Sequence, residues 1–126
     1  MRGKPLVARG YGRSDVSNGS AAGPLTAYRL ASVSKQFTAA AILLLVQDGK
    51  VGLQDSVRTR FPGLPVEDAG ITVQHLLTHA SGLMDYEDLM ATPYTGQIHD
   101  AGVLALLEKE HRLYFKPGTG YRYSNG

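Results

Sequence analysis

The 126-residue sequence predicts an α+β domain, rich in helix, with a few short antiparallel strands and an incomplete sheet. Three observations carry that expectation. A long, almost wholly apolar helical stretch occupies residues 33–48, and two short extended segments, 6–12 and 25–31, precede it. Two further helical patterns, 73–79 and 100–111, follow between turns punctuated by proline and glycine.

Gly3-Lys4-Pro5 reads as a turn, and Leu6-Val7-Ala8-Arg9-Gly10-Tyr11-Gly12 as a strand whose glycines point to a bulge or a close approach of backbones. Residues 13–24, rich in Ser, Asn, Gly and Ala, form a loop before the second extended segment. A hairpin of these two segments alone is marginal in water, so both need neighbours. Across 33–48, Val33, Phe37, Ala40, Ala41, Leu44 and Leu45 share one stripe, while Ala39, Ile42, Leu43 and Val46 extend the apolar surface nearly all round. Such a helix is expected to be central and buried on most sides. Ser32 or Ser34 is placed to cap its start, and Gly49 to end it in the left-handed conformation.

Thr72 is placed to cap the helix at 73–79 and Gly82 to end it. In 100–111, Val103, Leu104 and Leu107 form the inward stripe. Short helical turns are expected at 55–60 and 85–90, and proline–glycine turns at Phe61-Pro62-Gly63-Leu64-Pro65 and Lys116-Pro117-Gly118-Thr119-Gly120. No repeat or interdomain linker interrupts the chain, so a single domain over 1–126 is expected.

Hydrophobic residues make up 43% of the chain and charged residues 19%, a balance that favours a globular protein over disorder. The net charge of +2 is small and the basic residues are scattered, so nothing suggests a nucleic-acid groove and no nucleic-acid partner is expected. There is no cysteine, so disulfides, thiol catalysis and thiolate metal sites are excluded while the compartment stays open. The longest apolar run, 39–46, is far short of the ~20 residues that span a bilayer, and the first nine residues lack the apolar stretch of a secretory signal. No membrane partner is expected, and the localisation stays unassigned.

Ser32 stands three residues before Lys35 at the start of the apolar helix. That spacing puts both side chains on one face, close enough for an amine to take the hydroxyl proton. The partial positive charge of a helix N-terminus favours a developing alkoxide there. A serine that caps a helix beside a solvated lysine gives the same spacing, so the pair alone is a weak signal. Tyr123-Ser124-Asn125 adds a second proton-handling group and an amide able to orient a carbonyl or the lysine. A phenol is a poor proton acceptor at neutral pH unless a nearby cation favours its phenolate. Read alone, that tripeptide is equally an aromatic at a strand end followed by a turn. His75 and His79 have the i, i+4 spacing of a zinc pair, but Leu76, Leu77 and Thr78 lie between them and supply no glutamate base. No metal and no cofactor is expected, and nucleophile-elbow, P-loop and dinucleotide fingerprints are absent.

Four segments in order carry a family resemblance. They are Ser32-Val33-Ser34-Lys35-Gln36-Phe37-Thr38, Ile71-Thr72-Val73-Gln74-His75-Leu76-Leu77-Thr78-His79-Ala80-Ser81-Gly82-Leu83, Phe115-Lys116-Pro117-Gly118-Thr119 and Tyr123-Ser124-Asn125. Together they resemble the class C β-lactamase, D-alanyl-D-alanine peptidase and esterase family over almost the whole chain from Gly3. The resemblance implies part of a β-lactamase/transpeptidase-like fold and a serine hydrolase working through an acyl-enzyme on a β-lactam, a D-Ala-D-Ala peptide or an ester. It implies Ser32 as nucleophile, Lys35 and Tyr123 as joint proton shuttles, Asn125 as a substrate-binding residue, and His79 as a scaffold residue hydrogen-bonded near a helix C-terminus.

The family's third motif, a Lys-Thr-Gly or His-x-Gly triplet, has no counterpart here, and Tyr94-Thr95-Gly96 lacks the cation and precedes the second motif. The family's helix and strand before Gly3 have no counterpart either. The chain is therefore expected to be an incomplete domain, inactive or nearly so by itself and poorly soluble, with another chain completing the fold as a candidate partner beside a small-molecule or peptide substrate. A non-catalytic binding relative or a decayed gene product is the competing expectation.

Overall fold

A computed structural model describes residues 3–65, 67, 70–90 and 96–125. Of the sequence expectations, those on Met1-Arg2, Tyr94-Thr95 and Gly126 lie outside these residues. The chain divides into two compact units, Met1–Gln36 and Phe37–Gly126.

In the first unit, Arg13 and Ala21 form an isolated antiparallel bridge, backed by Ala22 N–H to the Gly12 carbonyl at 3.0 Å and Ser14 N–H to the Ser20 carbonyl at 2.9 Å. A Cβ on Gly10 would lie 2.3 Å from the Ala22 carbonyl oxygen, so the close backbone approach expected of this segment is present. The strands expected at 6–12 and 25–31 do not form. Leu6, Val7 and Leu25 are among the most exposed apolar residues, and neither segment has a ladder partner. Among the described residues there is no strand, only isolated bridges, so the antiparallel part of the expected fold gives way to a helix-rich arrangement.

Helix α1, Lys35–Gln47, follows a 3-10 turn at Ala31–Ser34. Its end is as expected. Gly49 at φ 69° closes a Schellman motif, with its N–H on the Val46 carbonyl and Lys50 N–H on the Leu45 carbonyl. Its burial is not. Phe37, Leu43 and Leu44 are at least half exposed and no residue of α1 is buried, because no described element covers its apolar faces.

The core of the second unit is small: Val57, Leu64, Ile71, Leu83 and Leu107, with Leu89, Val103, Leu104 and Leu113 packed against it. Residues 53–57 and 71–74 run alongside each other through the Ser56–Thr72 bridge and main-chain bonds that include Val57 N–H to the Ile71 carbonyl. They leave Ile71 fully buried. A 3-10 turn at Val57–Thr59 and helix α3, Tyr86–Leu89, occupy the two places where short turns are expected. Helix α4, Asp100–Leu107, turns the expected stripe to the core, with Leu107 buried and Val103 and Leu104 partly so, but stops earlier than its sequence pattern. After Leu107 the polar Glu108, Lys109 and Glu110 offer nothing to the core, and the backbone tightens into i to i−3 bonds at Lys109 and Glu110.

Helix α2, Val73–Leu77, is bracketed at both ends. Thr72 and His75 form a reciprocal capping box, with His75 N–H on Thr72 Oγ1 and Thr72 N–H on His75 Nδ1, each at 3.3 Å. At the other end His79 takes the left-handed position that glycine usually fills, at φ 55°. Its N–H meets the Leu76 carbonyl, and Ala80 N–H meets the His75 carbonyl at 2.8 Å. The helix thus ends at His79 rather than Gly82. Gly82 is also left-handed, at φ 77°, and a Cβ there would lie 2.1 Å from the Phe115 carbonyl oxygen. No described helix is long and apolar enough to cross a membrane.

Candidate functional site

Ser32 and Lys35 lie in the first unit; Tyr123 and Asn125 lie in the second. The structure brings the first pair together. Ser32 sits exposed in the 3-10 turn, and Lys35, half-buried, opens α1 with its N–H on the Ser32 carbonyl. One turn separates the side chains, and Lys35 Nζ donates to Ser32 Oγ at 3.4 Å. Ser34 is turned to another task, its hydroxyl donating to the Ala31 carbonyl. The turn is strained: Ala31, directly before Ser32, has φ 47°, a region that costs a residue with a Cβ roughly 1–2 kcal/mol.

The segment that carries the second pair is held largely through its main chain. Tyr123 is 43% exposed and Ser124 is buried. The Ser124 N–H donates to His79 Nδ1 at 3.4 Å, and the Asn125 N–H donates to Asp85 Oδ2 at 3.0 Å. Asn125 Nδ2 reaches Glu87 Oε1 at 3.4 Å. The ring of His79 lies 4.7 Å from that of Tyr123, tilted by 36°, and its carbonyl accepts from Arg122 N–H at 3.0 Å.

A charged cluster stands behind this segment. Tyr114 donates its hydroxyl to Asp88 Oδ2 and accepts the Asp85 N–H at 3.2 Å. The Arg122 guanidinium lies 3.7 Å from the Tyr114 ring centroid and donates to Asp88 Oδ2 at 3.1 Å. Burial, and then the bond to Asp88, push the Tyr114 phenol above its usual range. Asp85, itself buried, also caps α3 through Oδ1 to the Glu87 N–H.

Sequence reasoning missed Asp85 and Glu87 and assigned His79 only a scaffold role. The signals were an aspartate just before a short helical pattern, which marks an N-cap, and a histidine where glycine or asparagine normally ends a helix. His75 and His79 serve opposite ends of α2, and no group of described residues is arranged to hold a metal ion.

The Beta-lactamase family model matches residues 1–126, and the chain belongs to the serine β-lactamase-like family. Among its relatives, a penicillin-binding protein of Bacillus subtilis is 38% identical over 101 residues, covering 78% of this chain and 22% of that protein. Protein flp of Staphylococcus aureus is 35% identical over 130 residues, covering 98% of this chain and 25% of that one. Among solved structures, D-amino acid amidase from Ochrobactrum anthropi SV3, complexed with L-phenylalanine, superposes with a TM-score of 0.75 at 33% identity, covering 90% of this chain and 32% of that one. The chain thus spans about a quarter of the length of the curated relatives it matches. Members of the family are serine hydrolases, and the similarity to the amidase supports a β-lactamase-like fold.

Proposed function

We propose that Ser32 is the nucleophile of a serine hydrolase that forms a covalent acyl-enzyme with a β-lactam, a D-Ala-D-Ala peptide or an ester. The similarity to a D-amino acid amidase adds amides of D-amino acids to the candidate substrates. The observation that carries this reading is the reach of Lys35 Nζ to Ser32 Oγ in the first turn of α1. A lysine within one turn of a serine can take its proton only in the neutral amine form. Lys35 and Tyr123 share that role in the proposal, and Asn125 binds substrate.

In the acylation step Ser32 Oγ bonds to the carbonyl carbon. Its proton passes through Lys35 and Tyr123 to the leaving nitrogen or oxygen as the scissile bond breaks. Water then attacks the ester carbonyl carbon; its hydroxyl stays on the released acid, and its other proton passes to Ser32 Oγ as the acyl–oxygen bond breaks. The Ser32 N–H is one donor for the oxyanion, an interaction worth about 3–4 kcal/mol where such donors are removed. Because the relatives are about four times as long, we propose that turnover needs further segments, in the same polypeptide or in a second one, and that the 126 residues alone turn over slowly or not at all.

Intact mass after incubation with a fluorescent penicillin tests the reading, both on the 126-residue chain and on a chimera in which it replaces the matching segment of the Bacillus subtilis relative. A Ser32 adduct, lost in Ser32→Ala, is expected in the chimera. Labelling that survives Ser32→Ala sinks the assignment, and saturable binding without an adduct replaces it with a binding role. Rapid β-lactam hydrolysis by the 126-residue chain alone would refute the need for further segments.

A further inference from the structure

We propose that His79 and Asp85 are positioning residues for Tyr123, clamping the main chain that carries it; the functional part of this role rests on the acyl-serine reading. With 43% of its surface exposed, Tyr123 is not held in place by burial. The backbone on which it sits is fixed at several points. That backbone is gripped at the next two amides, Ser124 by His79 Nδ1 and Asn125 by Asp85 Oδ2. The grip continues on the other side, where Arg122 N–H meets the His79 carbonyl. The imidazole itself lies 4.7 Å from the phenol ring, which limits the directions Tyr123 can take.

Two features separate this role from simple helix termination. Glycine fills a left-handed C-terminal position without steric cost, so a terminator has no need of a histidine at φ 55°. The ring nitrogen is also aimed at an amide 45 residues further along the chain, far from the helix it ends. As the acceptor of that amide, the neutral ring carries its own proton on Nε2. Asp85 combines two contacts in the same way: one oxygen caps α3 and the other reaches Asn125. One end of each of two short helices is thereby tied to the same stretch, residues 122–125.

Native-state amide exchange, read residue by residue by NMR on the full 126-residue chain, tests the clamp. His79→Gly removes the strain and the acceptor together. Its melting temperature is expected at or above that of the native chain, while the Ser124 amide exchanges about tenfold faster and Asn125 keeps its rate. His79→Asn tolerates the left-handed backbone and offers Oδ1 in place of Nδ1, so it is expected to restore Ser124 to within about twofold. Asp85→Ala is expected to give the mirror result, faster exchange at Asn125 and not at Ser124. No change at Ser124 in His79→Gly, or an even rise across 113–125, overturns the clamp and leaves His79 a helix terminator. Acylation of the chimera by the fluorescent penicillin is the second readout, expected to fall in His79→Gly and recover in His79→Asn. Labelling that persists in Ser32→Ala would remove the acyl-serine reading, and the exchange rates would still decide whether the two residues hold the segment.

Discussion

Lys35 Nζ reaches Ser32 Oγ at 3.4 Å across one turn whose first residue, Ala31, is held in the left-handed region. The contact is long for a hydrogen bond, and a substrate that tightens it would complete the proton path. Replacing the amine while keeping its apolar stem, as in Lys35→Met, is expected to slow acylation of the chimera by about 10²–10⁴. Lys35→Arg should not rescue it, since a guanidinium stays protonated. Time courses by intact mass would measure both, and an unchanged rate in Lys35→Met would remove the lysine from the proton path.

Gly82 faces the Phe115 carbonyl at a distance that leaves no room for a methyl group, and its backbone is left-handed as well. Gly82→Ala is therefore expected to cost more than about 2 kcal/mol, combining left-handed strain with displacement of a main-chain segment. Urea unfolding of the two proteins gives the number.

Tyr114 ties Asp85 and Asp88 together through its hydroxyl. Tyr114→Phe should lower stability by about 1–2 kcal/mol, because the Asp85 N–H loses its acceptor in a partly buried place. In the native chain the phenol is expected to titrate above the usual tyrosine range, which ultraviolet difference spectra would follow.

Glu110 is gripped by Arg112 through Nε, Nη2 and the main-chain N–H, and its carboxyl is held down from 4.5 to about 2. The folded chain binds fewer protons here than the unfolded chain between those values. The contribution to stability is thus present above about pH 4.5 and is lost as pH falls toward about 2. Carboxyl NMR titration should find the low midpoint, and Arg112→Leu should move it up toward the ordinary range.

The bare apolar faces of α1 predict association. Phe37 and Leu44 are 63% and 62% exposed. Concentration-dependent oligomers are expected in light scattering, and Phe37→Glu with Leu44→Lys should shift the chain toward monomer without loss of helix.

The sequence made the local structure legible wherever a short-range device decides it. Gly49, Thr72 and the Pro117-Gly118 turn act through their own geometry and appear where the residues put them. The stripe of Val103, Leu104 and Leu107 was readable because the helix period fixes one face. What failed depended on distant partners. A strand at 6–12 needs a neighbour to bond with, and a helix like α1 needs a cover, and neither requirement is visible in the residues that state it. The candidate site divides in the same way. Ser32 and Lys35 are neighbours by helical spacing, whereas the hold of His79 and Asp85 on Tyr123-Ser124-Asn125 joins residues 40 to 45 positions apart and has no local signature.

His75 inside α2 and His79 two residues past its end set the working length of that helix. His75 closes the first turn of a five-residue helix and His79 closes its last. The helix is therefore a spacer of fixed length, with one ring seated on Thr72 and the other delivered to Ser124. Adding one residue inside it would swing His79 by about 100° and advance it by about 1.5 Å, carrying the ring away from Tyr123. A change in the number of residues in α2 therefore breaks the relation between the two contacts even where every side chain is kept.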